Sequence, residues 1–464
     1  MSRSRLKLAQ RAGWNLANQL LSAMSNVVLA IVVARTQDAQ AFGAFSVSFL
    51  VFGIAVAVER ALVGQPLQIL HSADSPDSFR RAATQGLTAV LGIGVIASFT
   101  TATAGALIGA EVGQVLYVTA VVLPALVLQD ACRMAFFAMR DPRSATSLDL
   151  LWTVALFVGV AVLLYDGQGS VSALVLVWGA SAALSALIGF LLLGAWPRPR
   201  TARGWLRRRG RLSGYLLAEY VVGLGTVQIG ILLTGVIAGA EDVGSLRGGQ
   251  VILGPLGILG AAAFAFALPE LAKRTGMVPR RLGLAGLALS GVLGAAATVY
   301  LLAILLMPSE WGRSLFADTW DGSSVVLPLI GLVTLAASIG AGPGVVLYSL
   351  GRADLTFRLH LVKAPLLVVL IVVGAQASGA HGAAIALAIC EVALLPAWFW
   401  VAYRVLKQSS PDDRKADMAA GVRTSPGTPT PRLFGPWLRR PARHPGGGVE
   451  GPARGTIDPV LEGS

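Results

Sequence analysis

The sequence predicts an all-α integral membrane protein of about twelve transmembrane helices, arranged as two parallel-repeat lobes of six helices each. Three observations predict it. Of the 464 residues, 55% are hydrophobic and only 13% are charged, and the mean hydropathy is +0.70. A water-soluble fold has nowhere to bury that much apolar surface. Apolar stretches long enough to cross ~30 Å of hydrocarbon recur along the chain. Finally, Lys and Arg gather in every second connection between those stretches.

The first six apolar segments span about 14–34, 42–64, 82–108, 112–137, 146–165 and 170–195. Six more follow at about 213–238, 246–268, 281–306, 322–349, 355–374 and 380–403. Arg3, Arg5, Lys7 and Arg11 precede the first, which is longer than the ~7–15-residue core of a secretory signal, so it is expected to be retained as a helix. The even-numbered connections carry Arg80 and Arg81, then Arg140 and Arg143, then a cluster from Arg198 to Arg211, then Lys273, Arg274, Arg280 and Arg281, then Arg352 and Arg358 about the next turn, with Arg404 and Lys407 after the last segment. Odd-numbered connections hold only Arg35, Arg247 and Arg313, beside Glu111, Asp166, Glu241, Asp242, Glu310, Asp318 and Asp321. Cytoplasmic loops are the basic ones, so both termini are expected inside.

These boundaries give five regions: a basic cytoplasmic N-terminus (1–13), an N-lobe (14–195), a basic cytoplasmic linker (196–212), a C-lobe (213–404) and a tail (405–464). The tail is rich in Pro, Gly and Arg, buries too little apolar area to offset its ordering entropy, and is expected to be disordered. The two lobes read as copies. Phe42-Gly43-Ala44-Phe45 opens the second segment as Val243-Gly244-Ser245-Leu246 opens the eighth, and Gly64-Gln65-Pro66-Leu67 closes the former as Ala267-Leu268-Pro269-Glu270 closes the latter. Each copy holds an even number of spans, so the repeat axis runs along the membrane normal, with a cavity expected between the lobes.

Composition also excludes functions. The net charge of +13 is spread between apolar segments and forms no nucleic-acid-binding stripe. Cys132 and Cys390 lie in apolar runs, and the four histidines form no HExxH motif, so neither a catalytic constellation nor a metal site is expected. No cofactor is expected either.

In the order of its features the chain resembles the polysaccharide flippases of the Wzx type. Their superfamily, called MOP, also contains multidrug-exporting MATE proteins and lipid II flippases. The resemblance covers about residues 10–405. It is carried by Trp14 through Asn26, Ala34-Arg35, Phe42-Gly43, Leu128-Gln129-Asp130, Arg133, Phe136-Phe137-Ala138, Arg140, Pro142 and Asp149-Leu150-Leu151-Trp152. It implies a MATE-like two-lobe transporter in a bacterial plasma membrane, moving a lipid-linked oligosaccharide from the inner to the outer leaflet, with glycosyltransferases and a glycan polymerase as neighbours. A multidrug or small-solute exporter of the MATE type is the alternative. An exporter of cations calls for acids deep in the N-lobe, whereas Glu59, Asp130 and Asp149 lie toward its cytoplasmic ends.

A pyrophosphate leaving water needs cations to pair with. The candidates for substrate binding are Arg35, Arg133, Arg358 and Lys363, with Arg60 and His360 nearby in sequence. For Arg60, Arg133 and Arg358 the competing role is snorkelling to headgroups, helped by Asp130 at i−3 of Arg133 and Asp354 at i−4 of Arg358. Lys363 lies ~13 Å into its helix. Glu391 falls near mid-membrane, where an ionised carboxylate is costly unless paired. It is read as a coupling carboxylate, a counter-ion to Lys363, or a neutral packing residue. Glu219 is a second coupling candidate. Gly342, Pro343 and Gly344 are the hinge candidate, because proline removes a donor and the glycines tolerate a bend.

Overall fold

A computed structural model describes residues 3–408 apart from 73, 140, 168, 199–201 and 274–278. The described residues form helices and short connections only, with no strand among them. The predicted tail, 405–464, lies outside the described residues from 409 onward.

The N-terminal half runs α1 (Arg3–Thr36), α2 (Ala39–Glu59), α3 (Gln65–His71), α4 (Pro76–Ile108), α5 (Ala110–Ala138), α6 (Pro142–Tyr165) and α7 (Val171–Leu193). A π-helical turn, Arg60–Gly64, joins α2 to α3, so the two form one long rod. The ends are set by local chemistry. Asp38 and Asp141 cap α2 and α6 with their carboxylates, Ser170 caps α7 with its hydroxyl, and Gly194 closes α7 in the left-handed conformation.

The C-terminal half runs α8 (Ala202–Tyr220), a second π-turn (Val221–Gly225), α9 (Thr226–Ala238), α10 (Ala240–Ile252), α11 (Gly254–Lys273), α12 (Pro279–Leu305), α13 (Ser309–Phe316), α14 (Thr319–Ser349) and α15 (Ala353–Gln408). Most of the predicted linker is the start of α8, continuous with the seventh apolar segment. The short α13 lies in what the sequence presented as a connection. At Ser378 and Gly379 the backbone of α15 leaves helical geometry. Lys363 meets Glu391, His360 meets Trp398 and Gly374 meets Gly382 across that point. The 56 residues of α15 are therefore two antiparallel arms, matching the predicted segments 355–374 and 380–403. Nine helices among the described residues are long and apolar enough to cross a membrane, or ten if α10 and α11, bent by 53° at Leu253, are one span.

The repeat-related glycines face each other. A Cβ on Gly43 would overlap the Ala240 carbonyl, and one on Gly244 would sit 3.2 Å from the Gly43 Cα, so α2 and α10 cross backbone to backbone where only glycine fits. Around this crossing one apolar core is continuous through both halves, joining Val33, Phe42, Val115 and Val171 to Val243, Leu246, Trp320 and Ile371. All lie toward the ends that the charge pattern assigns to the outside. Toward the other ends the cores separate. One runs from Ala55 through Phe79, Cys132 and Phe190 to Trp205, and a small one holds Leu347, Ala402 and Val405. Among the described residues the two halves thus share one core at the ends that the charge pattern assigns to the outside and have separate cores at the other ends.

Candidate functional site

Five charged side chains meet in the inner half of the N-lobe, drawn from α2, the π-turn, α5 and α6. Asp130 accepts both a Nε–H and a Nη2–H bond from Arg60, each at 2.7 Å, the bidentate geometry that suits guanidinium and carboxylate. Arg133 bonds the same Asp130 and reaches Asp149 at 3.3 Å. Asn18 of α1 and Gln129 of α5 donate to Asp149 at 2.8 and 2.9 Å. Asp130, Arg133 and Asp149 are buried. The network ties four helices into one unit, and it neutralises the predicted candidate Arg133 inside the lobe rather than at a headgroup. Asn18, Gln129 and Asp149 were visible in the sequence, but only packing shows that they share one partner.

The linker clamps onto this lobe. Trp205, fully buried, donates to the Leu62 carbonyl at 3.0 Å, and Ser213 donates to the same carbonyl at 2.9 Å. That carbonyl lies in the π-turn, where the ladder of helical bonds is disturbed. Arg209 stacks over Trp205 and donates to His71 Nε2 at 2.5 Å. His71 therefore carries its proton on Nδ1, which donates to Asp74 at 2.7 Å. That bond holds the exposed Asp74 carboxyl below its usual range.

In the C-lobe, Lys363 is buried and ion-paired to Glu391 between the two arms of α15. His360 stacks edge-on against Trp398 just beside the pair. The other candidates are dispersed. Arg35 is exposed in the last turn of α1. Arg358 is exposed, and the expected partner Asp354 pairs instead with Arg352 at 3.0 Å, because the turn before α15 brings Arg352 across its first residues. Glu219 accepts from the Tyr348 hydroxyl at 3.2 Å. Gly342, Pro343 and Gly344 lie buried in an α14 that continues through them. Pro343 cannot bond the Ile339 carbonyl, and Ser290 of α12 donates to it at 2.6 Å instead.

One residue between the lobes escaped the sequence reading. Arg247, assigned there to an outer connection, sits in the second turn of α10. Its guanidinium lies 4.1 Å over the ring of Phe49 on α2, which stacks in turn on Trp178. No acid among the described residues forms an ion pair with Arg247; it donates to the Gln250 side chain at 3.5 Å, and its Nε is buried without a bond. Beside the crossing, an apolar groove of about 860 Å³ runs between the lobes, lined by Val51 and Val58 of α2, Ile93 and Ala97 of α4, and Leu232 and Val236 of α9.

The two halves that cross at Gly43 and Gly244 have counterparts among solved structures. An inward-facing multidrug resistance MATE family transporter of the MOP superfamily superposes with a TM-score of 0.66 at 15% identity, over 86% of this chain and 99% of that one. The fold is that of MOP-superfamily transporters. The lipid II flippase MurJ, in an inward closed conformation, gives 0.66 at 11% identity over 88% of this chain and 90% of its own. An outward-facing MATE transporter gives 0.58 at 13% identity over 86% and 95%. The chain thus shares the fold of all three. No protein-family profile and no curated protein matches the sequence.

Proposed function

We propose that this chain is an alternating-access transporter that moves a lipid-linked oligosaccharide, a polyprenyl-pyrophosphate glycan, from the inner to the outer leaflet for surface polysaccharide assembly. The observation that carries the proposal is Arg247: a guanidinium between the lobes with no carboxylate partner among the described residues. A lone guanidinium in a low-dielectric cleft favours an anion, and phosphate oxygens fit its planar fork. The apolar groove between α2, α4 and α9 offers hydrocarbon a separate place between the lobes. Tyr220 and Gln228, hydrogen-bonded at 2.5 Å where α9 approaches Gly53 of α2, add polar groups at the same interface. Where the cell interior is negative, a potential of 100 mV adds about 2.3 kcal/mol per anionic charge moved outward.

The alternative, export of an organic cation, calls for an available acid. Asp130 and Asp149 are already satisfied by Arg60 and Arg133, and Glu391 by Lys363, while Glu59, unpaired among the described residues, has no exposed surface, which supports anionic cargo over an organic cation.

The test is to delete the gene in its host and quantify polyprenyl-pyrophosphate oligosaccharide in membranes together with mature surface polysaccharide. Accumulated lipid-linked units with loss of surface glycan support the proposal. Unchanged glycan, with organic-cation efflux lost, overturns it in favour of a drug exporter.

A further inference from the structure

Arg247 belongs to α10 of the C-terminal half, while the ring it stacks on belongs to the other half. Its guanidinium carbon lies 4.1 Å from the ring centre of Phe49 on α2, and that ring is itself braced. Phe49 stacks on Trp178 of α7, with centroids 5.8 Å apart and ring planes 12° from parallel. Phe52, one turn along α2, meets the same indole edge-on at 4.7 Å. Trp178 has no exposed surface, so Phe49 cannot swing away from the guanidinium without disturbing the core. Along their helices Arg247 follows Gly244, and Phe49 follows Gly43, by less than two turns. The stack therefore sits beside the crossing of α2 with α10, and a cation–π contact reaches only ~6 Å, so it lasts only while those helices stay crossed.

A guanidinium carries all its N–H donors in its own plane. An aromatic ring takes the face and uses none of them, whereas a carboxylate partner would fix the same group by occupying its fork. Among the described residues the Arg247 Nε is buried without a bond, and Nη1 meets the Gln250 oxygen at 3.5 Å, the outer limit of a hydrogen bond. The fork is thus held in place and still open. We infer that Phe49 is a positioning residue that makes the affinity of Arg247 for a pyrophosphate group depend on the arrangement of the lobes, high while α2 and α10 are crossed and low once they part. With the helices crossed, the ring shields one face of the guanidinium from water and presents its fork. Once they part, the long side chain regains water and rotamers, and an anion must order it again. A site that weakens as the outer side opens releases its cargo there.

The inference rests on the reading of Arg247 as an anion site and adds what sets its strength. The full chain is reconstituted in lipid nanodiscs and titrated calorimetrically with inorganic pyrophosphate. Phe49→Leu, which removes the ring, is expected to weaken binding about two- to thirtyfold, while Phe49→Tyr, which keeps the ring, stays within twofold of the parent. Spin labels at Arg81 and Arg281, exposed near the inner ends of α4 and α12, then report the spacing of the lobes. A ligand that prefers one arrangement shifts the population toward it, so pyrophosphate should change the spacing in the parent and in Phe49→Tyr, and much less in Phe49→Leu. A ring that merely filled space would leave that response intact. Weaker binding by Arg247→Gln, with Phe49→Leu binding and shifting the spacing as the parent does, would overturn the inference and leave the anion site standing. Phe49→Tyr as weak as Phe49→Leu would overturn it too. Absent binding by the parent, or equal binding by Arg247→Gln, would remove the anion site itself and the inference with it.

Discussion

The inner halves of the two lobes have the same number of predicted helices and very different interiors. In the N-lobe a broad apolar core from Ala55 to Trp205 surrounds the Arg60–Asp130–Arg133–Asp149 network, and the linker helix is pinned to it through Leu62. The described core of the C-lobe at the same level is Leu347, Ala402 and Val405, beside one partly accessible ion pair and below the 53° bend between α10 and α11. Composition alone does not decide which charges in such a molecule are available to a ligand. Charges embedded in the N-lobe serve to hold its helices together, whereas Arg247, on the element that joins the lobes, keeps its valence open.

The largest effect that would break this contrast is in the N-lobe. Arg133→Ala leaves Asp149 short of its charge partner and Asp130 with only one, and is expected to cost about 3–5 kcal/mol, seen as a strongly lowered thermal midpoint in detergent. A loss below that of any C-lobe variant would contradict the assignment of the N-lobe as the fixed unit. Gly43→Val comes next. Its side chain would meet the Ala240 carbonyl, so the outer crossing should part, and spin labels across α2 and α10 should report a population with the outer side open.

Lys363→Met is expected to cost less, about 1–3 kcal/mol, because Glu391 retains 19% side-chain accessibility and can take a proton from water. Adding Glu391→Gln should restore part of that loss, and the double-mutant cycle should give a coupling of about 0.5–3 kcal/mol. Additivity of the two changes would show that the pair contributes nothing. The smallest effect belongs to Ser290→Ala, which removes the hydroxyl on the Ile339 carbonyl and is expected to cost about 1 kcal/mol. If Gly342, Pro343 and Gly344 serve as a hinge, the same variant should alter the pH or ligand response of the lobe spacing more than it alters stability.

Much of the architecture was legible because a bilayer leaves few choices: every backbone group must be satisfied within a span, so apolar length marks the helices. The Gly43 and Gly244 correspondence was readable too, as a repeat, and packing then brought the two residues into contact. Other features were hidden for definite reasons. Glu59 and Arg60 are adjacent and leave the helix on different faces, and only the fold brings Asp130 of α5 within reach of the long Arg60 side chain. Asp354 is at i−4 of Arg358, but a closer turn residue, Arg352, takes it. Arg247 looked like a loop residue because Gly239 to Gly244 contains two acids and two glycines. In fact α10 begins at Ala240, so Arg247 lies two turns inside it. The Lys363 and Glu391 pairing was foreseeable from depth alone, since a hairpin centred near Ser378 sets the two at equal distance from the turn.

The most direct measurement is leaflet exchange of a polyprenyl-pyrophosphate oligosaccharide in vesicles carrying the purified protein, scored by access of the glycan to a membrane-impermeant lectin. Arg247→Gln should slow exchange at least tenfold while leaving the thermal midpoint near that of the parent, and Arg247→Lys should recover part of the rate because it restores charge without the planar fork. Equal exchange by the parent and Arg247→Gln would contradict the claim that this cation draws an anionic lipid carrier between the lobes.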